Sequence, residues 1–156
     1  MLVNIAEKFD LPAAQPEVWR LMRDTNRLAS LVPGVESVTA IESADCETYQ
    51  AQVTEKVGPF KVTLNLEIQM TELVEPAMLK ATLRGADSHR LSHATGSVQV
   101  ALSLSGAGTE MQFEAAVEVL GKLATLGATV IRRKVKELFA EFARRVREQF
   151  PAVQAP

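Results

Sequence analysis

The sequence predicts an α+β fold: a curved antiparallel sheet of about seven strands wrapped around one long C-terminal helix, with two short helices after the first strand. Two observations carry this prediction. Apolar and polar residues alternate through most of residues 35–119, which is typical of half-buried strands. A later run with few helix breakers has apolar residues three or four positions apart, as in an amphipathic helix. The length of 156 residues suits a single domain, predicted over residues 1–150, with a short frayed tail at residues 151–156.

The N-terminal part predicts a strand followed by two helices. The stretch "LVNIAEKFD" alternates apolar and polar residues and reads as the first strand. Pro16 suits the first turn of a helix, where its missing N–H costs nothing. A second short helix is predicted from Thr25 to Leu31, because Pro33 and Gly34 stop it.

Six further strands and the long helix follow. The clearest strand begins at Phe60, after which every even position is apolar up to Met70. Short turns separate the strands, so neighbours pair antiparallel, since a parallel pair needs a long crossover. The long helix is predicted from Gly121 to Phe150. The predicted strands are Val35 to Glu42, Thr48 to Val57, Phe60 to Leu73, Met78 to Arg84, Leu91 to Leu104 and Thr109 to Val119.

One face of this sheet is apolar, and one helix is too narrow to cover it. A helix is about 10 to 12 Å in diameter, whereas about seven strands at about 4.8 Å spacing are far wider. The sheet must therefore curl, which favours an apolar cleft of the kind that binds small molecules. A completely filled core is the alternative. The predicted ligand-binding residues are Leu64, Leu66, Leu102, Phe113, Leu138 and Phe142.

Gly127 interrupts the predicted helix, at a cost of about 1 kcal/mol relative to alanine. Leu123, Leu126 and Val130 have a different helical phase from the apolar stripe of Ile131, Leu138 and Phe142. We predict that Gly127 forms a bend or gate at the mouth of the cleft, with a glycine tolerated for plain packing as the alternative.

Composition excludes several classes of function. A formal net charge of -2 gives no reason to expect a nucleic-acid-binding protein. Cys46 is the only cysteine, so no internal disulfide can form and a reducing compartment fits. The N-terminus lacks a signal-peptide pattern, and no segment has about 18 consecutive apolar residues. We expect a cytoplasmic protein without a membrane span.

Few residues suggest chemistry. His89 and His93 lie in "GADSHRLSHATG", and four positions along a strand span about 13 Å, too far for one metal ion. Cys46 has no local sign of a catalytic partner. Glu55 shares the parity of the apolar face, yet a glutamate at a strand end is more often solvated or paired than a general base. The sequence therefore predicts no metal, no cofactor and no catalytic residue.

The order of elements resembles the START-like helix-grip fold of hydrophobic-ligand carriers and polyketide-cyclase-like proteins. The segments "LPAAQPEVWRLMRD", "LVPGVESV", "KVGPFK" and "GKLATLGATVIRRKVKELFAEF" are similar, in that order and over nearly the whole chain, to the CoxG family of carbon monoxide dehydrogenase subunits. The resemblance implies an accessory protein of molybdenum hydroxylases of the carbon monoxide dehydrogenase type. It further implies association with the membrane face of that system, an apolar cavity and no catalytic residues.

The predicted function is a non-enzymatic binding or carrier protein for an apolar ligand, such as a lipid or a quinone-like molecule, beside a membrane-linked molybdenum hydroxylase. One alternative is a cyclase- or dehydratase-like enzyme that uses the same cavity, with Glu55, Tyr49 or a histidine as acid or base. Another is a structural recruitment module with a filled core. An inward titratable group with a shifted pKa would favour the enzyme.

The outer face of the long helix carries a basic arc of about 120° on a helical wheel. A charged outer face is usually only a solvated one. The alternative is a docking surface for an anionic membrane or for the partner enzyme, because each basic residue near such a membrane contributes about 1 kcal/mol. The predicted docking residues are Arg132, Arg133, Lys136, Arg144 and Arg147.

Overall fold

The computed structural model describes residues 1–42 and 45–151. The predicted frayed tail therefore lies, except for Pro151, outside the described residues. The elements in chain order are β1 (Leu2–Leu11), α1 (Gln15–Arg23), α2 (Thr25–Leu31), β2 (Val35–Ile41), β3 (Thr48–Val57), β4 (Phe60–Val74), β5 (Met78–Asp87), β6 (Ser92–Ser105), β7 (Gly108–Gly121), a 3-10 helix (Lys122–Leu126) and α3 (Ala128–Gln149).

The seven strands form one antiparallel sheet in the order β1-β7-β6-β5-β4-β3-β2. Strands β2 to β7 are a meander of hairpins, as their short connections predict. Strand β1 pairs with the last strand, so β1 and β2 are the two edges of the sheet. The predicted fold class, a helix-grip fold with two short helices after the first strand, is confirmed.

The two short helices begin where the sequence indicates. Pro16 lies in the first turn of α1, as its missing N–H allows. Asp24 ends α1 and begins α2, and its carboxylate accepts a hydrogen bond from the backbone N–H of Arg27 at 3.3 Å. An aspartate in this position satisfies an N–H that the helix itself leaves free.

The long helix begins later than predicted. Residues Lys122–Leu126 form a separate 3-10 helix, and α3 starts at Ala128. Gly127 joins the two with φ 87° and ψ 154°, a conformation that is essentially restricted to glycine. The prediction of one helix from Gly121 was wrong because the apolar residues before Gly127 belong to a separate element. This explains the different phase of Leu123 and Leu126, whereas Val130 lies in α3 itself.

The interior consists of two clusters at opposite ends of the sheet. We call the first the α1 end, where α1, α2 and the last turns of α3 pack on residues such as Leu11, Leu21 and Met111. We call the second the 3-10 end, where the 3-10 helix and the first turns of α3 pack on residues such as Val3 and Val119. Phe113 on β7 contacts both clusters.

Candidate functional site

A band of half-buried apolar side chains lies between the two clusters, on the inner face of β3, β4 and β5. Helix α3 packs mainly along β1 and also meets β3. The inner face of the middle strands is consequently covered less than the inner face of β1 and β7. The residues of this band, which belong to neither cluster, are Val53, Leu64, Leu66, Ile68, Met70 and Leu83.

Two glycines on the inner face of β5 and β6 leave positions without a side chain next to this band. Leu66 pairs with Gly85 across β4 and β5, and a Cβ atom on Gly85 would lie 2.7 Å from Cδ2 of Leu66. Gly96 on β6 lies between Leu83 and Val117, and a Cβ atom there would approach Cα of Val117 to 2.9 Å. Larger residues would clash at both positions. The sequence analysis missed these glycines, although each one interrupts an otherwise regular strand pattern, which often marks a close approach.

An aromatic cluster forms the wall of the band on the β1 and β7 side. The ring of Phe139 lies 5.6 Å from Phe9 and 5.3 Å from Phe113, and the ring of Phe142 lies 6.2 Å from Phe139. Edge-on and tilted pairs at such distances are favourable for aromatic rings. Phe139 was not predicted, although it is three residues from Phe142 and so shares part of the same helix surface.

The predicted ligand-binding residues fall into three environments. Leu64 and Leu66 lie in the half-buried band, and Leu138 of α3 is also half-buried and outside both clusters. Phe113 and Phe142 belong to the aromatic wall. Leu102 is only 5% exposed and packs within the α1-end cluster, so it takes part in the core and not in the band.

An ion pair joins α3 to β3 beside the band. The Nζ atom of Lys134 lies 3.0 Å from Oε2 of Glu55 at the end of β3, and the side chains are 22% and 24% exposed. The Glu55 side chain also packs against Gly34, where a Cβ atom would lie 2.9 Å from Oε1. Glu55 therefore faces α3 and has a cation partner there. We call this ion pair the latch.

A second pair ties α1 to the start of β3. The two guanidinium nitrogens of Arg23 donate to the two carboxylate oxygens of Glu47 at 2.6 and 2.7 Å. The hydrogen bonds from Arg23 lower the pKa of Glu47 below its ordinary value. Nearby, Arg27 of α2 donates to Oε1 of Gln149 at 2.9 Å, which fixes the end of α3. These contacts close the α1 end of the molecule.

A further carboxylate shares the inner face. Glu7 is half-buried on β1, directly opposite Phe113 on β7. Its flanking inner-face residues, Ile5 and Phe9, are buried. The sequence analysis missed it, although the alternation of β1 assigns Glu7 to the same face as Ile5 and Phe9.

The predicted docking residues of α3 differ in their partners. Arg144 binds the carboxylates of Glu141 and Glu148, and hydrogen bonds from Arg144 and Arg145 lower the pKa of Glu141 to about 2. The guanidinium of Arg147 lies 5.2 Å from the centre of the Phe9 ring. Arg132, Arg133 and Lys136 form no ion pair with any residue that the structure describes. Arg133 and Lys136 are exposed, and Arg132 is half-buried.

The residues weighed for metal or covalent chemistry lie apart from the band. His89 and His93 are both exposed, in a turn and on β6 respectively. Cys46 is exposed and free. Residues 1–42 and 45–151 contain no group of three or more His, Cys, Asp or Glu side chains that could hold a metal ion. In the same ranges, no helix has the length and apolar character needed to cross a membrane.

The outer face of the sheet also has two shallow depressions. One has a volume of about 530 Å³ and is lined by small and polar residues such as Ala6, Ser97 and Ala116. The other has a volume of about 950 Å³ and is mainly polar, with Gln50 and Arg84 in its lining. They lie on the opposite side of the sheet from the apolar band.

Comparison with solved structures gives the same fold in proteins of low sequence identity. A conserved protein from Geobacillus kaustophilus is 19% identical and superposes with a TM-score of 0.82 over 96% of this chain and 94% of its own. Protein Ms6760 from Mycobacterium smegmatis is 13% identical, with a TM-score of 0.65 over 98% and 93% of the two chains. TTHA0849 from Thermus thermophilus is 16% identical, with a TM-score of 0.60 over 94% and 97%.

Sequence comparison identifies the family. No curated protein matches the sequence. The model of the CoxG family, which is described as a carbon monoxide dehydrogenase subunit, matches residues 8–150. These residues include α1, α2 and α3 and all of the strands, apart from the start of β1. The chain therefore belongs to the CoxG family of carbon monoxide dehydrogenase subunits.

Proposed function

We propose that this protein is a non-enzymatic carrier of an apolar ligand, a lipid or a quinone-like molecule. It serves a carbon monoxide dehydrogenase-type molybdenum hydroxylase as an accessory protein and takes part in recruiting that enzyme to the inner face of the membrane. The observation that carries the ligand part of this proposal is the half-buried apolar band between the two core clusters.

The band has the chemistry of a site for an apolar molecule. Its side chains are aliphatic, and the wall beside it consists of phenylalanine rings. Apolar side chains that stay half exposed on an inner face have less of their surface removed from water than side chains in a packed core. An apolar ligand would bury the remaining surface. The predicted residues Leu64, Leu66 and Leu138 would contact the ligand, and Phe113 and Phe142 would contact its other side.

The charged groups beside the band favour binding over catalysis. Glu55, the carboxylate considered as an acid or base, has Lys134 as its ion-pair partner. A paired carboxylate and ammonium suit the polar head of an otherwise apolar ligand, because both can exchange their mutual contact for contacts with the ligand. We assign the latch this head-group role in the carrier.

The accessory role follows from the family, and the basic face of α3 is the proposed contact with the enzyme. The residues Arg132, Arg133 and Lys136 supply most of its available charge, because Arg144 has two carboxylate partners and Arg147 lies on Phe9. An acidic surface on the partner enzyme would complement them, with an interaction that weakens as salt rises.

Extraction of the purified protein with organic solvent, followed by mass spectrometry, tests for the ligand. A recovered apolar molecule is the expected result. The variant Val53→Phe should lose this molecule and keep its stability, because its ring would occupy the space that we propose for the ligand. The matched variant Val100→Phe lies in the α1-end cluster and should lose about 1–3 kcal/mol of stability through overpacking.

Two results would contradict the proposal. Extracts without any apolar molecule, combined with no uptake of an apolar fluorescent probe, would favour the recruitment module with a filled core. Equal destabilisation by Val53→Phe and Val100→Phe would show that the band is packed as tightly as the core.

A further inference from the structure

Three exposed leucines lie together on the outer face of the sheet at the 3-10 end. Leu2, Leu91 and Leu120 are 55%, 54% and 49% exposed. Leu2 pairs with Glu118, two residues before Leu120, and Leu120 pairs with His93, two residues after Leu91. Leu2 and Leu120 are thus diagonal neighbours across β1 and β7, close enough for long side chains to touch. Leu91 directly precedes β6, on the other side of Leu120. Contiguous exposed apolar residues commonly mark an interaction site.

Cations border these leucines. The backbone N–H of Lys122 donates to the carbonyl of Leu91 at 2.7 Å, and the Nζ atom of Lys122 lies 4.4 Å from the centre of the Phe60 ring. Lys61 follows Phe60, and Arg90 precedes Leu91. All three cations are exposed, and none has a carboxylate partner within the described part of the chain.

The carboxylates close to the leucines are already engaged. Oδ1 of Asp87 accepts hydrogen bonds from the backbone N–H groups of Leu91 and Ser92 at 2.7 and 3.3 Å. Glu118 binds the amino group of Met1 at 2.8 Å. Asp87 keeps its negative charge, whereas that of Glu118 is offset by the Met1 ammonium. Three cations against one unpaired carboxylate leave a net positive charge beside the leucines.

The α1 end also exposes apolar residues, but their charged neighbours in the sequence are acids. Leu104, Val74 and Leu73 are its exposed large apolar side chains. The acidic residues Glu72 and Glu75 lie beside them in the sequence. Glu72 is paired with Lys80 at 3.4 Å. Exposed apolar residues at the α1 end therefore have a paired charge and an acid beside them, whereas those at the 3-10 end have cations without a carboxylate partner in the described residues.

We infer that the 3-10 end is a membrane-docking surface, which we call the leucine rim: Leu2, Leu91 and Leu120 with Lys61, Arg90 and Lys122. The leucines enter the region between head groups and acyl chains, and the long basic side chains reach lipid phosphates. The charge selects an anionic bilayer. This inference rests on the proposed membrane recruitment and assigns it to a surface separate from the basic face of α3.

Sedimentation with vesicles tests the leucine rim. Vesicles of phosphatidylcholine and phosphatidylglycerol are compared with vesicles of phosphatidylcholine alone, at low and at high salt. Lys61→Glu with Lys122→Glu should weaken binding to the anionic vesicles at least about tenfold at low salt. Leu91→Ser with Leu120→Ser should weaken it by about the same factor, and this loss should persist at high salt because it removes an apolar contribution.

Matched controls are available at other surfaces. Lys8→Glu with Arg20→Glu changes the net charge by the same amount at exposed positions, and Leu73→Ser with Leu104→Ser removes two exposed leucines from the α1 end. Both controls should bind within about twofold of the parent. The content of extractable apolar molecule, measured on the same variants, reports on the cleft independently of the membrane.

Two outcomes would overturn the inference. In the first, the leucine rim variants bind anionic vesicles as well as their controls do, and Arg133→Glu with Lys136→Glu abolishes binding; the membrane contact then belongs to α3. In the second, the parent protein does not sediment with anionic vesicles at low salt, even if it carries an extractable ligand.

Discussion

The two halves of the sheet differ in how α3 covers them. On the β1 and β7 side, the helix packs on buried residues such as Phe9 and Met111, and the aromatic rings fill the space between strand and helix. On the β3 and β4 side, Leu64 and Leu66 remain half-buried, and the latch connects α3 to β3 through a polar contact. One half thus has the properties of a core, and the other has those of a site. One helix over a wide sheet can cover only one half fully.

The largest expected effect on stability comes from comparing two methionines, one in each half of the sheet. Met111 on β7 is 1% exposed, whereas Met70 on β4 is half-buried. We expect Met111→Ala to reduce the free energy of unfolding by about 2–5 kcal/mol, because it leaves a cavity in a packed cluster. Met70→Ala should cost about 1 kcal/mol or less, since its neighbourhood already admits solvent. Denaturant unfolding of both variants measures the difference, and equal losses would mean that the two halves are packed alike.

Gly127 joins the 3-10 helix to α3, and we predict that it acts as a gate to the open half. Gly127→Ala requires an L-residue at φ 87° and should reduce stability by about 1–3 kcal/mol. No atom lies within 4 Å of a Cβ atom added there, so the effect arises from the backbone alone. A stiffer joint should slow the exchange of an apolar fluorescent probe at nearly constant affinity.

Gly106 is the matched control for this substitution. It also has a positive φ, 57°, and open space around an added Cβ atom, but it lies in the turn between β6 and β7. Gly106→Ala should reduce stability and leave probe exchange unchanged. If both variants exchange the probe as the parent does, Gly127 is only a structural joint.

The sequence was sufficient for the fold because local patterns determine it. Alternation fixed the face of each strand, short turns fixed antiparallel pairing, and Pro16 fixed the start of α1. The boundary of α3 was missed because a 3-10 turn and an α-helix have similar apolar spacing over a few residues. The φ of Gly127 separates them, and a sequence does not display φ.

The site was less predictable because it depends on what α3 leaves uncovered. Leu64 and Leu102 have the same parity in their strands, yet one is half-buried and the other lies in the core beneath α1. The difference is set by the position of the helices, which periodicity does not contain. The partners of Arg144 were more predictable, because Glu141 and Glu148 lie three and four residues away on the same helix face, and both bind it.

The pair of Arg23 and Glu47 gives a pH-dependent test at the closed end of the molecule. The pKa of Glu47 is lowered in the folded protein, so its contribution to stability is present above the unfolded pKa and is lost as pH falls through the folded pKa. Glu47→Gln should therefore reduce stability by about 1 kcal/mol near neutral pH. The difference from the parent should vanish at pH values below the folded pKa. A constant difference across this range would mean that the ion pair does not stabilise the fold.

The smallest effect on stability, and the most specific effect on exchange, is expected at the latch. Glu55 and Lys134 are each about three-quarters buried, and the pair closes the open half of the sheet against α3 without apolar packing of its own. Glu55→Gln keeps the shape of the side chain and removes its charge, so stability should change by less than about 1 kcal/mol. Probe exchange should become faster, because the helix and β3 lose the charged contact that holds them together across the band.

Arg84→Gln is the matched control: it removes the exposed ion pair with Glu67 at 3.4 Å on the outer face, where no effect on exchange is expected. Stopped-flow measurements of probe release from the parent and both variants decide the point. If Glu55→Gln releases the probe at the rate of the parent, the open half of the sheet is gated elsewhere, and the latch serves only to position α3.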